Sequence, residues 1–303
     1  MNLNFDYKSV VKNSEKVEWT LDDVLPEGTR LDFSRLFLPP TLVPGSELSF
    51  LSDDEQRTRN HVTSNAYLNL FAFVEEYIIA MALQHAGAEM FGDHDAIRAL
   101  CRFADEETKH QALFLRYCAA FNRDFGHQCD VLGSAAEVAG VILSKAPIAV
   151  MLVTLHLELI TQQHYTDSVR DNAALDPLFA KLLKSHWLEE SQHARIDQLE
   201  LQKMVHAASP EQVATAVNDY FDLLGAFDGL LKSQADMDAA TFERATGRSL
   251  NDKERAAFIA VQHRNYREMF LNAGLNHKTF VETLAELDPS SRQRVSTHAA
   301  AFS

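Results

Sequence analysis

An all-α fold is what these 303 residues predict: a bundle of four long helices with an irregular N-terminal arm and additional C-terminal helices. Three observations predict it. Gly (11) and Pro (8) are scarce, which argues against a many-stranded β architecture and for long uninterrupted helices. Hydrophobic residues make up 46% and charged residues 23%, an ordinary globular balance in a chain long enough for a sizeable core. Between residues 53 and 208, helix start and stop signals divide the chain into four long segments.

The elements follow in order. Residues 1–52 hold Pro26, Pro39, Pro40 and Pro44 with Gly28 and Gly45, and read as an irregular arm. The apolar Leu36, Phe37 and Leu38 predict that this arm packs on the body. At Ser52-Asp53-Asp54-Glu55 the pattern changes: Ser can cap a helix, and Glu three residues on completes a capping box. The first long helix runs from there to about His85. The second covers 96–125 and stops at Gly126. The third covers 134–169, with a kink expected at Pro147. The fourth covers 177–208 and ends at Ser209-Pro210. The bundle therefore occupies 53–208, and 209–303 is a C-terminal helical extension with helices over 211–232, 252–272 and 278–287.

Charge and cysteine usage narrow the function. With 28 basic against 43 acidic residues, the net charge of −15 repels a phosphate backbone, so nucleic acid is not an expected partner. Cys101, Cys118 and Cys129 form no C-x-x-C pair and leave an odd thiol, which fits a reducing, cytoplasmic location. The first residues show no basic region followed by an apolar run, so no secretory signal is expected. The apolar stretches 71–74 and 77–83 are interrupted by Glu75 and Glu76 and are too short to span a bilayer, so no membrane is expected.

Two segments carry chemistry. Glu106-Glu107-Thr108-Lys109-His110 and Glu189-Glu190-Ser191-Gln192-His193 each present Glu-x-x-His preceded by another Glu. Three residues make about 300° of helical turn, so Glu107 and His110 point to one side, as do Glu190 and His193. A carboxylate and an imidazole one turn apart can hold one metal ion without bending the helix. Either motif alone reads more readily as a surface pair. Their faces decide otherwise: Leu100, Phe103, Phe114 and Cys118 surround Glu107, and Phe179, Leu183 and Leu201 mark the stripe of Glu190. An acid on a buried stripe needs a compensating charge, which a metal supplies.

Two such helices require one more Glu from each of two others. The third helix offers only Glu158 at its middle, 32 residues before Glu190; the first offers Glu75 and Glu76, 32 and 31 residues before Glu107. The halves thus repeat with near-equal spacing. Glu75 shares its face with Leu68, Phe71 and Ile78 and is the favoured ligand, with Glu76 kept as the alternative. His186 lies one turn before Glu190 on the same side. Four Glu and three His make an oxygen-rich set that suits iron or manganese better than zinc. Asp197 could orient a ligand His or be solvated. Tyr165 reads as core more than as site lining, and Glu106 and Glu189 as solvated or inter-helix salt-bridge residues. His156 and His164 lie off the face of Glu158.

This set resembles the ferritin-like di-iron carboxylate proteins over residues 53–208, and with His186 it is most similar to the p-aminobenzoate N-oxygenase family. The resemblance implies a ferritin-like bundle in which Glu75 or Glu76, Glu107, His110, Glu158, His186, Glu190 and His193 bind two iron ions, with iron–manganese and dimanganese pairs as alternatives. It departs from the family pattern at Glu106, where an Asp is expected. It implies a non-haem di-iron oxygenase that activates dioxygen and oxidises a small organic substrate, with N-oxygenation of an amine as one outcome. Dioxygen, the substrate and an external electron donor would be its partners, and a homodimer is plausible for a bundle with apolar faces. The alternative is a ferritin-like metal-binding or iron-oxidising protein with no organic substrate. A helical interaction module without metal is disfavoured by the buried acids.

Overall fold

Ser52 starts the bundle as its sequence predicts. Its hydroxyl accepts from the Glu55 backbone N–H at 3.3 Å and the Glu55 carboxylate accepts from the Ser52 N–H at 2.8 Å, so two otherwise orphaned donors are satisfied at one helix end. The computed structural model describes residues 3–303. The helix launched there, α3 (Asp53–Ala88), pairs with α4 (His94–Phe125) through a short connection. Asp93 caps α4, and Gly126 ends it in the left-handed conformation (φ 77°) that only glycine adopts without strain. A second pair, α6 (Pro147–His164) and α7 (Pro177–Ala207), closes the four-helix core, with α4 and α7 in contact across it. By length and composition alone α3 could cross a membrane, but 56% of that window is buried inside the protein, and its apolar residues are used in the core.

The arm is less irregular than expected. It contains α1 (Tyr7–Ser14) and the single-turn α2 (Leu21–Val24), each with its own capping box. α1 lies on α4 and α7. Phe37 and Leu38 are fully buried, and Phe37 stacks on Phe179 of α7 at 5.4 Å. Burial of one such ring stabilises by roughly 1.5–3 kcal/mol. The Asn60 side chain fastens the same stretch by accepting from the Phe37 N–H (3.0 Å) and donating to the Leu38 carbonyl (2.7 Å).

The third segment differs from expectation. Pro147 does not kink a continuous helix; the chain breaks into α5 (Ala135–Leu143) and α6, with Pro147 in the first turn of α6. There its missing N–H costs nothing and its fixed φ suits a start. α6 then widens into a π-helical turn, Tyr165–Val169. In the C-terminal extension α8 (Pro210–Thr246) runs well past residue 232, because Gln234 and Asp238 are buried in a polar network with Gln262 and Tyr266. α9 (Asp252–Arg267) leads into a second π-helical turn, Glu268–Asn272, followed by α10 (Ala273–Leu275), α11 (Lys278–Leu287) and α12 (Ser291–Phe302).

His156 holds this second turn in place. Its Nδ1 meets the Tyr220 hydroxyl at 2.8 Å and its Nε2 the Phe270 carbonyl at 2.9 Å, and burial pushes the imidazolium down to about 4, so the ring is neutral. Gly274 admits the ring: a Cβ there would stand 2.1 Å from Nε2. Gly274→Ala is therefore expected to destabilise the protein by about 1–3 kcal/mol, read as a lower urea midpoint with unchanged slope. An unchanged midpoint would contradict this packing.

Candidate metal centre

The four motif residues converge. One ligand atom each from Glu107, His110, Glu190 and His193 lie within 4.8 Å of one another, and Glu75, His110 and His186 form an overlapping group on the same criterion. All six are buried. The helical spacing explains this directly: α4 and α7 each turn a Glu and a His one turn apart toward the bundle axis, and α3 adds Glu75. Glu76, the alternative first ligand, is exposed on the outer side of α3, so the geometry favours Glu75. Glu158 lies outside both groups but is buried on α6, with Oε2 lacking a partner.

Of the two readings of Glu106 and Glu189, solvation fails and the inter-helix salt bridge holds, Glu189 pairing with Lys109 and Glu106 with His193 across α4 and α7. Glu106 is 4% exposed and accepts from His193 Nε2 at 2.9 Å; Glu189 is 1% exposed and accepts from His110 Nε2 at 2.8 Å. The bonds cross: the leading Glu of each motif holds the imidazole of the other. With each Nε2 held by a carboxylate, each Nδ1 faces the cluster, where a metal ion can take the place of its proton. His110 Nδ1 lies 3.3 Å from Glu107 Oε2 and 3.1 Å from Glu190 Oε1, and His193 Nδ1 lies 2.7 Å from Glu107 Oε1. The doubled Glu in both motifs was the sequence signal for this role.

The arm supports the outer carboxylates. Ser14 of α1 donates to Glu106 at 2.5 Å, and Arg102 pairs with the same oxygen at 3.1 Å. Burial pushes the Glu106 carboxyl up, but the hydrogen bond and charge of His193, with Ser14 and Arg102, bring it down to about 2. Lys109 pairs with Glu189 at 2.5 Å and lies over the Trp19 ring, which stacks on His110. Nothing in the local sequence marked Trp19, since it reaches the site only through tertiary folding.

At the centre, by contrast, polar atoms lack partners. Glu75 Oε2, Glu107 Oε1, Glu190 Oε1 and His193 Nδ1 are buried and reach no well-directed hydrogen bond, although His193 Nδ1 is close to Glu107 Oε1, and His110 Nδ1 and His186 Nε2 are close to Glu190 Oε1. Unpaired buried acceptors are costly, and acceptors facing one another call for cations between them. Four carboxylates offset the charge of two divalent ions. The donor set therefore fits a pair of oxygen-preferring metal ions, with His186 adding a third imidazole: its Nε2 is 2.5 Å from Glu190 Oε1 and 3.7 Å from Glu75 Oε1.

Asp197 takes neither role expected of it. It is fully buried, both oxygens lack partners, and burial pushes its carboxyl well above the usual range. His193 Nε2 is already held by Glu106. Tyr165 stacks on Trp187 at 4.7 Å, as a core residue does.

Two outcomes follow from this geometry. Burial disfavours the charged forms of His110 and His193, but the surrounding carboxylates outweigh it and raise both well above the ordinary value, so both are imidazolium at pH 7 without metal. Metal must displace those protons. Loading is expected to release protons and to weaken as pH falls, measured by calorimetry in two buffers of different ionisation enthalpy; buffer-independent heats would contradict the Nδ1 assignment. Glu106→Ala and Glu189→Ala are each expected to lower metal affinity roughly 10–100-fold in chelator competition, whereas Glu107→Ala or His193→Ala abolishes stoichiometric binding.

Comparison with known proteins agrees. The family model described as "P-aminobenzoate N-oxygenase AurF" matches residues 8–257. No curated protein matches significantly in sequence. Among solved structures, an R2-like ligand-binding oxidase with aerobically reconstituted metal cofactor after photoconversion is 14% identical, covering 89% of this chain and 95% of that one with a TM-score of 0.50. A Tyr-to-Phe variant of an R2-like ligand-binding oxidase with an anaerobically reconstituted Mn/Fe cofactor gives 14% identity, the same coverage and a TM-score of 0.49. At such identity the first likeness speaks for the fold alone, an all-α ferritin-like bundle. The family match spans most of the chain: the protein belongs to the p-aminobenzoate N-oxygenase family and is an oxidoreductase with a di-metal site.

Proposed function

We propose that this oxygenase holds two iron ions through Glu75, Glu107, His110, Glu158, His186, Glu190 and His193, and oxidises the nitrogen of a small organic amine. An iron–manganese pair is the alternative, on the precedent of the Mn/Fe cofactor in R2-like oxidases. The observation that carries the reading is the convergence of unpartnered carboxylate and imidazole atoms between α4 and α7. When bound, the metal pair supplies reductive activation of dioxygen. The chain's part is to turn each Nδ1 toward the ions by the crossed Nε2 bonds, to seat the ions among buried carboxylates, and to exclude bulk water.

The substrate side is apolar. A recess of about 40 Å³ is walled by Leu70, Phe71, Val74, Leu157, Phe227 and Phe270. Phe71 lies one turn before Glu75, and its ring is 5.9 Å from that of His186. The recess holds roughly three water-sized volumes, so a substrate enters only as the aromatic wall moves. Electrons come from an external donor. Three unpaired thiols support a reducing, cytoplasmic setting. Exposed Leu83, Met90, Phe91 and Leu115 support pairing of two copies, which light scattering would test.

The test is dioxygen uptake by iron-loaded protein with a chemical reductant and p-aminobenzoate or another arylamine. Uptake dependent on the amine, with an N-oxygenated product by mass spectrometry and loss of both in Glu107→Ala, is expected. Uptake that tracks added ferrous iron and ignores every amine would favour the iron-oxidising alternative instead.

A further inference from the structure

A second cavity, of about 410 Å³, is lined by His164, whose ring contacts Tyr67, and by none of the candidate metal ligands. That volume falls within the roughly 300–1,000 Å³ of small-molecule sites. Both π-helical turns wall it, and such widened turns recur at functional sites. Its lining includes Gln163, His164, Asp167, Glu268, Asn272 and Asn276, and no lysine or arginine. Of the neighbouring arginines, Arg267 pairs with Asp228 at 2.6 Å, Arg170 faces Asp171 at 4.0 Å, and buried Arg59 reaches the lining only at its Pro44–Asn265 end, where it donates to the Pro44 carbonyl at 3.0 Å.

The floor is buried and its hydrogen bonds are incomplete. Asn272 is 3% exposed; its Nδ2 donates to Glu268 at 2.8 Å while its Oδ1 has no partner. Gln163 Oε1 is likewise buried and unpartnered. His164 is 4% exposed, its Nδ1 meets the Tyr67 hydroxyl at 3.0 Å, and its Nε2 makes no hydrogen bond, although the Met269 backbone lies nearby. At the exposed mouth stand the carboxylates of Asp167 and Glu268. An acidic rim above unpaired amide oxygens asks for a ligand that is positively charged and rich in N–H donors.

We propose that this cavity is a binding site for a small organic ammonium ion, seated with its N–H donors on Asn272 Oδ1 and Gln163 Oε1 and its charge between Asp167 and Glu268. The site is separate from the metal centre and does not rest on the reading of that centre. It has a physical link to it, however: Tyr67 contacts His164 on one side and the Phe71 ring (4.7 Å) on the other, and Phe71 packs on His186.

Putrescine and its neutral analogue butanediol are suitable probes, titrated by calorimetry into metal-loaded protein at physiological salt. Saturable putrescine binding at one site, at least about tenfold tighter than butanediol, is expected, since charge-assisted hydrogen bonds discriminate by that order. The Asp167→Asn/Glu268→Gln double variant should lose at least about tenfold in affinity and keep its metal content. An Asp53→Asn/Asp54→Asn control, which removes the same charge elsewhere, should bind as the unmodified protein does. Metal-free Glu107→Ala should still bind putrescine, which separates this site from an amine-binding metal centre. No saturable binding, equal affinity for butanediol, or equal loss in the control variant would overturn the proposal.

Discussion

Two hydrogen bonds that cross between α4 and α7 organise the site: His193 to Glu106 and His110 to Glu189. Each ties one motif's imidazole to the other motif's leading carboxylate, so neither helix can build the centre alone. They also lock register. A slip of one residue turns a helix by 100° and would carry both carboxylates away from their rings. The same bonds choose the imidazole tautomer, and with it the nitrogen that faces the cluster.

Around this crossed pair the protein sorts its polar groups by position. At the perimeter Glu106, Glu189 and Glu200 have partners: Ser14 and Arg102 for Glu106, Lys109 for Glu189, Tyr7 and His85 for Glu200. At the centre the carboxylates of Glu75, Glu107 and Glu190 each keep an oxygen with no hydrogen bond. A core that neutralised all its acids internally would be more stable without metal and of no use for chemistry. The N-terminal arm belongs to this economy. Ser14 and Trp19 come from residues outside the bundle, yet one holds Glu106 and the other covers His110, so the arm shields the outer carboxylates from water.

The C-terminal helices contribute through one widened turn. Glu268–Asn272 sends Phe270 and Leu271 toward the apolar recess beside Phe71, and Glu268, Met269 and Asn272 toward the polar cavity behind His164. An α-helical turn there would distribute the residues differently between the two spaces. His156 and Gly274 hold the turn in place, so a histidine that flanks a proposed ligand serves packing, not coordination.

Much of this was legible in the sequence, because the signals are local. Ser52 and Glu55, Gly126 and Pro177 mark helix ends by chemistry confined to one turn, and the Glu-x-x-His spacing sets which side chains share a face. Local reasoning went astray where one residue allows two outcomes. Pro147 can kink a helix or start one, and the long-range packing of α5 on α3 selects the start. The polar run after residue 232 looks like an end until Asp238 meets Gln262 and Tyr266 from α9. By itself the sequence determined an all-α bundle with two acid–imidazole pairs on apolar helix faces, since periodicity and caps need only near neighbours. Tertiary structure alone decided that Glu75 and not Glu76 faces the centre, that Glu106 and Glu189 hold imidazoles, and that Trp19 and the two π-helical turns border the working spaces. Those depend on which helix lies opposite and in what register, and contacts between residues some eighty positions apart are not encoded by either residue's neighbours.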